Sequence, residues 1–425
     1  QVRLTSWQDA LDTVDIDYAD FQFESMPFSS PLWIMYSSGT TGAPKGIVHH
    51  TGGVLLESVK YAWLQDDLNP GSVKFFVTTT GWTMFNILVG GMTAGAAVVV
   101  YDGSAAFPDQ NRLWDLCERY RISYFGASPT YVNALVQAGY SPRQNHDLTS
   151  VKTIALTGSP SAPETFAWFY RHVHEDLHIL SMSGGTDVCT AFVAGAPDLP
   201  VYAGEIQGPC LGMDVCVFDE AGEPQPAEQD GELVIRQPIP SMPLCFWNDS
   251  DHQRYRDAYF ADFPGVWRQG DLVRETKQGG YVISGRSDST LNRFGVRIGT
   301  AEIYREIESL EEVQDSLIVS VELPGARLFM PLFLVLAEGV ELTDGLQKRI
   351  AAQLSSECSP RHVPDRCYRI DEVPYTLTGK KLEVPVKKLL LGVPADTALN
   401  KGAVANVQAM DFFIELAASL QDERE

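Results

Sequence analysis

Apolar runs without polar alternation recur along the first half of the chain, and amphipathic stretches separate them. Leu32–Ser37, Val73–Thr79, Ala97–Tyr101, Ser123–Gly126, Thr153–Thr157 and His178–Ser183 read as strands covered on both faces. Val54–Leu64, Asn111–Tyr120, Thr130–Gln137 and Pro163–His172 read as helices between them. This alternation predicts βαβ units and a largely parallel sheet. Small residues crowd several strand ends: Ser37-Ser38-Gly39, Gly126-Ala127-Ser128, Thr157-Gly158-Ser159 and Ser183-Gly184-Gly185-Thr186. Ligands of open α/β sheets gather at carboxyl strand ends, so these loops predict one long cleft.

The pattern changes after Ala203. Short strands, Asp214–Phe218 and Glu232–Arg236, alternate with Gly, Pro and Asp turns, and Gly279–Arg286 continues the style. This predicts an antiparallel or barrel-like layer. From Asp288 a smaller α+β domain is expected. Its elements are a helix over Ala301–Leu310, strands over Leu317–Val321, Pro331–Val335 and Tyr368–Val373, and a helix with Leu346, Ile350 and Leu354 on one face. A short helix over Lys381–Leu391 and an amphipathic tail, Asp411–Glu425, follow. The expected organisation is a large domain over 1–287 and a small one over 288–425.

Composition bounds the function. The 425 residues are 44% hydrophobic and 20% charged, enough apolar material for large cores. A net charge of −23 argues against broad binding to nucleic acid or anionic membranes, and any anionic ligand needs local cations. Seven cysteines without metal-type spacing read as reduced thiols, which points to a cytoplasmic protein.

The chemistry concentrates in Tyr36-Ser37-Ser38-Gly39-Thr40-Thr41-Gly42-Ala43-Pro44-Lys45-Gly46. Glycines let backbone N–H groups approach a ligand closely, and hydroxyls with a lysine complete a cradle for phosphate oxygens. It is not a Walker A loop, because Pro44 precedes Lys45 and Gly46 follows it. Further motifs follow in order: Thr78–Trp82, Ser183–Asp187, Gly231–Val234, Trp267–Leu272, Gly285–Asp288, Gly295–Gly299 and Pro374–Lys380. Together they resemble the adenylate-forming superfamily, which includes acyl-CoA synthetases, luciferase and peptide-synthetase adenylation domains. Within it the chain most resembles the acetoacetyl-CoA synthetase family, through Ser181–Asp187, Gly285–Gly299 and Thr376–Lys388. The likeness departs at Phe294, where a small residue is expected.

The resemblance implies a ligase that couples acetoacetate, ATP and CoA, with Mg²⁺, through an acyl-AMP intermediate. Residue roles follow by matched position. Ser37, Ser38, Gly39, Thr40, Thr41, Gly42 and Lys45 should hold the β,γ-phosphates. Gly158, Ser159, Ser183, Gly184 and Gly185 should line the nucleotide cleft. Thr186 should contact the α-phosphate. Asp187, where the family usually has glutamate, should help hold Mg²⁺. Asp271 should accept from the ribose hydroxyls, while Arg286 and Arg297 should face ribose or phosphate. Lys380 should neutralise the carboxylate and α-phosphate. Asp288 sits at the family's hinge, about which the small domain would rotate. Trp82 should line the acyl pocket. Acetyl-activating relatives carry tryptophan where this chain has Gly184, which should open space for acetoacetate.

Plainer readings stand beside these. Alone, Gly285–Asp288 would be a surface turn, Asp271 a turn cap, Lys380 a solvated lysine and Glu311-Glu312 a solvated face. His49 and His50 read as surface residues at a helix start. A ligase for another short acid and a catalytically incomplete nucleotide-binding fragment remain open. Because the first motif begins at Tyr36, the resemblance also implies an absent front of the large domain. An exposed sheet edge, poor solubility and loss of activity are the expected consequences.

Overall fold

The computed structural model describes residues 4–13, 17–37, 45–289, 291–293, 296–323, 327–377, 379–399 and 401–422. In chain order the first half comprises α1 (Trp7–Asp12), β1 (Pro31–Ser37), β2 (Lys45–His50), α2 (Thr51–Lys60), β3 (Val73–Phe76), α3 (Thr83–Gly90), β4 (Ala97–Val99), α4 (Arg112–Tyr120), β5 (Tyr124–Ala127), α5 (Pro129–Gln137), β6 (Thr153–Leu156), α6 (Pro163–His172) and β7 (His178–Ser181). Local chemistry fits these bounds. Ser128 caps α5 by accepting from the Tyr131 N–H, and Pro129 follows it at the first helical position. α6 begins with Pro163 and Glu164 and ends with Arg171 and His172, matching its dipole.

Five strands form a wholly parallel sheet in the order β4-β3-β5-β6-β7. β5 is buried along its whole length, and Phe125 stacks on Trp114 of α4 with centroids 4.8 Å apart. The carboxyl ends of β5, β6 and β7 are neighbours, so the loops at Ser128, Gly158 and Ser183 share one edge as the sequence predicts.

β1 does not join this sheet. It pairs antiparallel with β2, which the apolar pattern misses, and β2 pairs with β13 (Cys245–Phe246). His49 and His50 therefore end a strand that runs straight into α2: the helix start is where the sequence reading put it, but both residues are buried and not on the surface. His49 is fully buried, and His50 caps α2 by accepting from the Gly53 N–H at 3.2 Å.

β8 (Ser183–Gly185), β9 (Thr190–Ala194) and β10 (Gly208–Pro209) form a small antiparallel sheet. β11 (Val215–Phe218), β12 (Asp230–Ile235), β14 (Trp267–Glu275) and β15 (Tyr281–Arg286) form another, and α7 (Gln253–Tyr259) precedes β14. β16 (Leu291–Arg293), β17 (Val296–Ile298) and α8 (Thr300–Glu308) come next. β18 (Val313–Ile318) pairs antiparallel with a later strand, Pro331–Leu336, which pairs parallel with Arg366–Arg369. A helix over Asp344–Glu357 buries Leu346, Ile350 and Leu354, as its spacing predicts. The apolar clusters divide between Ile283 and Leu291: those before the division reach back to Ile47, and those after it run on to Leu420.

A buried ion pair stands behind the parallel sheet. Lys74 of β3 reaches Asp66 at 2.6 Å, with side chains 1% and 0% exposed, and the Tyr124 hydroxyl donates to the other Asp66 oxygen at 2.7 Å. Removing one partner strands a charge in apolar surroundings. Lys74→Met should lower unfolding free energy in urea by about 3–5 kcal/mol, and Lys74→Met with Asp66→Leu should recover much of the loss. A loss of less than ~1 kcal/mol for the single variant contradicts this account.

Candidate active site

The β1–β2 hairpin presents the glycine-rich loop. Ser37 and Lys45 are cross-strand partners that close it, while Ser38, Gly39, Thr40, Thr41 and Gly42 lie outside the described residues. The Lys45 ammonium rests over two rings, 5.5 Å from the Phe246 centroid and 5.7 Å from that of Tyr259. Tyr259 stacks on Trp267 at 3.6 Å and 13°. Tyr255 and Phe260 close this aromatic cluster edge-on.

Asp187 follows Thr186 just beyond β8 and is held from both ends. The Tyr259 hydroxyl donates to its Oδ1, and Nε2 of His49 donates to its main-chain carbonyl at 3.1 Å. Burial lowers the His49 pKa despite its backbone partners at Asp187 and Thr186. Burial and the Asp187 charge push the Tyr259 hydroxyl well above its ordinary value, so it remains a donor. Tyr259, Phe246 and His49 are the site residues that sequence reasoning missed. The available signals were slight: the Tyr255/Tyr259 pair at i, i+4 and the short apolar core Ile47-Val48 before His49.

Asp271 of β14 and Arg286 of β15 are cross-strand partners, joined by Nη1–Oδ1 at 2.8 Å. Desolvation pulls the Arg286 pKa down, but Asp271, Asp288 and Asp187 together hold it above its ordinary value. Asp288 is exposed, with Oδ1 4.0 Å from Arg286 Nε. Arg297 lies on β17, and its side chain, like Phe294, lies outside the described residues.

Lys380 arrives on a turn from the far end of the chain. The Thr376 N–H donates to the Lys380 carbonyl at 2.8 Å, the Lys380 N–H donates to Thr376 Oγ1 at 3.0 Å, and Gly379 takes the φ of +77° that the turn needs. Lys380 is exposed to solvent. Desolvation lowers its pKa, Arg286 lowers it further, and Asp271 and Asp187 pull it back up. The neighbouring Lys381 anchors the turn: it reaches Glu308 at 2.6 Å and Asp315 at 2.9 Å and sits 3.9 Å from the Tyr304 ring centroid.

Gly158 and Ser159 lie in the loop after β6, where the tip of the Trp82 indole lies 3.5 Å from the point a Gly158 Cβ would occupy. Trp82 and this loop therefore form one wall. Gly184 behaves otherwise than the sequence reading expects. A Cβ there would fall 2.0 Å from the Thr190 carbonyl oxygen and 2.5 Å from the Ala191 Cα. The backbone of β9 fills the volume that an absent side chain was expected to open. Glycine is required at this position by strand packing.

The fold is that of an α/β enzyme, and the chain belongs to the AMP-binding enzyme family, whose model matches residues 5–244. It is 44% identical to an acetoacetyl-coenzyme A synthetase of Rhizobium meliloti over 93% of this chain and 60% of that protein. It is 42% identical to an acetoacetyl-CoA synthetase of Gallus gallus over 92% of this chain and 58% of that protein. A solved acetoacetyl-CoA synthetase from Streptomyces lividans superposes with a TM-score of 0.88 at 46% identity, covering 95% of this chain and 62% of that one. A solved anthranilate CoA ligase shares the fold, with a TM-score of 0.72 at 20% identity over 86% of this chain and 68% of that one. The chain thus spans about 60% of the length of the curated relatives it matches. Among the described residues no helix is long and apolar enough to cross a membrane.

The contact at Gly184 is directly testable. Gly184→Ala should destabilise the fold by ~1–3 kcal/mol through overpacking against β9, read from the urea midpoint. Unchanged stability would mean that the position faces open space.

Proposed function

We propose that this chain carries the adenylating machinery of an acetoacetate–CoA ligase. Acetoacetate attacks the α-phosphorus of ATP to give acetoacetyl-AMP and pyrophosphate. CoA thiol then displaces AMP to give acetoacetyl-CoA. The observation that carries this reading is the likeness to acetoacetyl-CoA synthetases over 92–95% of the chain. The gathering of Lys380, Arg286, Asp271 and Asp187 supports it.

Adenylation brings two anions together inside a protein of net charge −23, so positioned cations carry the step. Lys380 is assigned to the acyl carboxylate and α-phosphate. Lys45, with Ser37, Ser38, Gly39, Thr40, Thr41 and Gly42, is assigned to the leaving pyrophosphate. Thr186 donates to the α-phosphate, and Asp271 accepts from ribose hydroxyls through the lone pairs that Arg286 leaves open. Arg286 and Arg297 flank ribose and phosphate. Trp82, Gly158 and Ser159 wall the cleft beside Ser183 and Gly185.

Mg²⁺ would be held by Asp187. A cation held this way would take one carboxylate from the protein and complete its oxygen shell with water and the substrate's phosphates. When bound it neutralises phosphate charge. The proposed domains are 1–287 and 288–425, with the hinge at Asp288. The division of apolar clusters between Ile283 and Leu291 supports that boundary. Rotation there would withdraw Lys380 after adenylation and admit CoA. Seven free cysteines support a cytoplasmic setting.

Pyrophosphate release with ATP and Mg²⁺ should be fastest, per kcat/KM, with acetoacetate among acetate, propionate, butyrate, 3-hydroxybutyrate and acetoacetate. A better rate with another acid overturns the substrate assignment. A pH profile adds a second check. Only charged Lys380 can neutralise the anions, and its pKa is lowered, so adenylation should fall on the alkaline side at a pH below the ordinary lysine value of 10.5. Lys380→Arg should move that limb upward, and an unmoved limb contradicts the assignment.

A further inference from the structure

We propose that Tyr259 is a positioning residue that fixes the cation-facing carboxylate of Asp187 with its hydroxyl and the phosphate-loop Lys45 with its ring face. The proposal deepens the reading above and rests on the placement of Asp187 and Lys45 at the nucleotide's phosphates.

Aspartate is shorter than the glutamate common at this position in the family, so its oxygens reach less far and their direction matters more. A free Asp187 carboxylate could rotate about its last bond and present either oxygen at many angles. The Tyr259 hydroxyl donates to Oδ1 in a charge-assisted bond, which opposes that rotation, while Oδ2 lies beside Gly185. The His49 N–H fixes the main chain of the same residue at 3.1 Å. Tyr259 itself cannot swing aside. It is 5% exposed, stacks on Trp267 at 3.6 Å, and meets Phe246 and Tyr255 edge-on at 5.6 and 5.3 Å.

The other face of the argument is the lysine. Lys45 carries the only charge in its loop, and its ammonium lies 5.7 Å from the Tyr259 centroid, within cation–π range. One ring therefore sets the spacing between a cation for the pyrophosphate and an acid for the metal. Hydroxyl and ring act on different partners, so substitution can separate them.

The experiment measures Mn²⁺ retention with ATP by electron paramagnetic resonance, beside AMP binding without divalent cation by calorimetry. Tyr259→Phe removes only the hydroxyl. Its Mn²⁺·ATP affinity should fall about 10- to 100-fold, as for lost second-layer contacts to a metal ligand, with AMP affinity unchanged. Asp187→Asn with Tyr259→Phe should be no weaker than Asp187→Asn alone, because the hydroxyl acts through Asp187. Tyr259→Leu should additionally weaken metal-free ATP relative to AMP, through Lys45. Urea melts of each variant beside the unsubstituted chain are the folding control. Wild-type Mn²⁺·ATP affinity in Tyr259→Phe overturns the proposal, as do additive losses in the double variant or parallel loss of AMP. If the unsubstituted chain retains no Mn²⁺ with ATP, the underlying placement of the site falls, and the proposal with it. Failure of the acid panel alone leaves the nucleotide measurements to decide Tyr259.

Discussion

The ion pair between Arg286 and Asp271 is the constraint on which the rest of the site depends. Antiparallel register between β14 and β15 sets the two residues opposite each other, and their side chains meet at 2.8 Å. A lone carboxylate as buried as Asp271 would be costly, and the half-exposed Arg286 guanidinium offsets that cost. Pairing leaves a mixed field in the cleft. Arg286 opposes the approach of another cation, while Asp271 and Asp187 invite it. Lys380 feels both signs of this field, and no single partner dominates its charge.

The two adjacent lysines at the end of that turn divide the work. Lys381 is locked by Glu308, Asp315 and the Ser316 carbonyl, and those carboxylates raise its pKa against the cost of burial. Lys380 is shifted the other way. An anchored lysine fixes the turn to β18 and α8, and the next residue back projects from a defined base. Elsewhere in the site a single side chain, Tyr259, touches both Asp187 and Lys45.

Much of this was legible in the sequence because its signal is local. Unbroken apolar runs located β3 to β7 within a few residues, and Leu346, Ile350 and Leu354 named their helix face. Asp271 and Arg286 stood out only through the family resemblance of their motifs, and β-sheet register joined them. What escaped depends on distant partners. β2 has a short apolar core and is a strand because it pairs with β1 and with Phe246, nearly two hundred residues on. His49 is buried by that pairing. Tyr259 meets Asp187 across a separation of 72 residues, and no local pattern announces the contact. Gly184 misled for the same reason: the missing side chain suggested space, but the space belongs to the backbone of β9.

The central claim is that Lys380 serves adenylation and not thioester formation. The most direct measurement compares the two half-reactions in Lys380→Ala. Acetoacetate-dependent ATP–pyrophosphate exchange should fall by about 10²–10³, the scale of losing one positioned charge-stabilising group. Thioester formation from preformed acetoacetyl-AMP and CoA should keep its rate. Equal loss in both, or exchange that survives the substitution, would contradict the account.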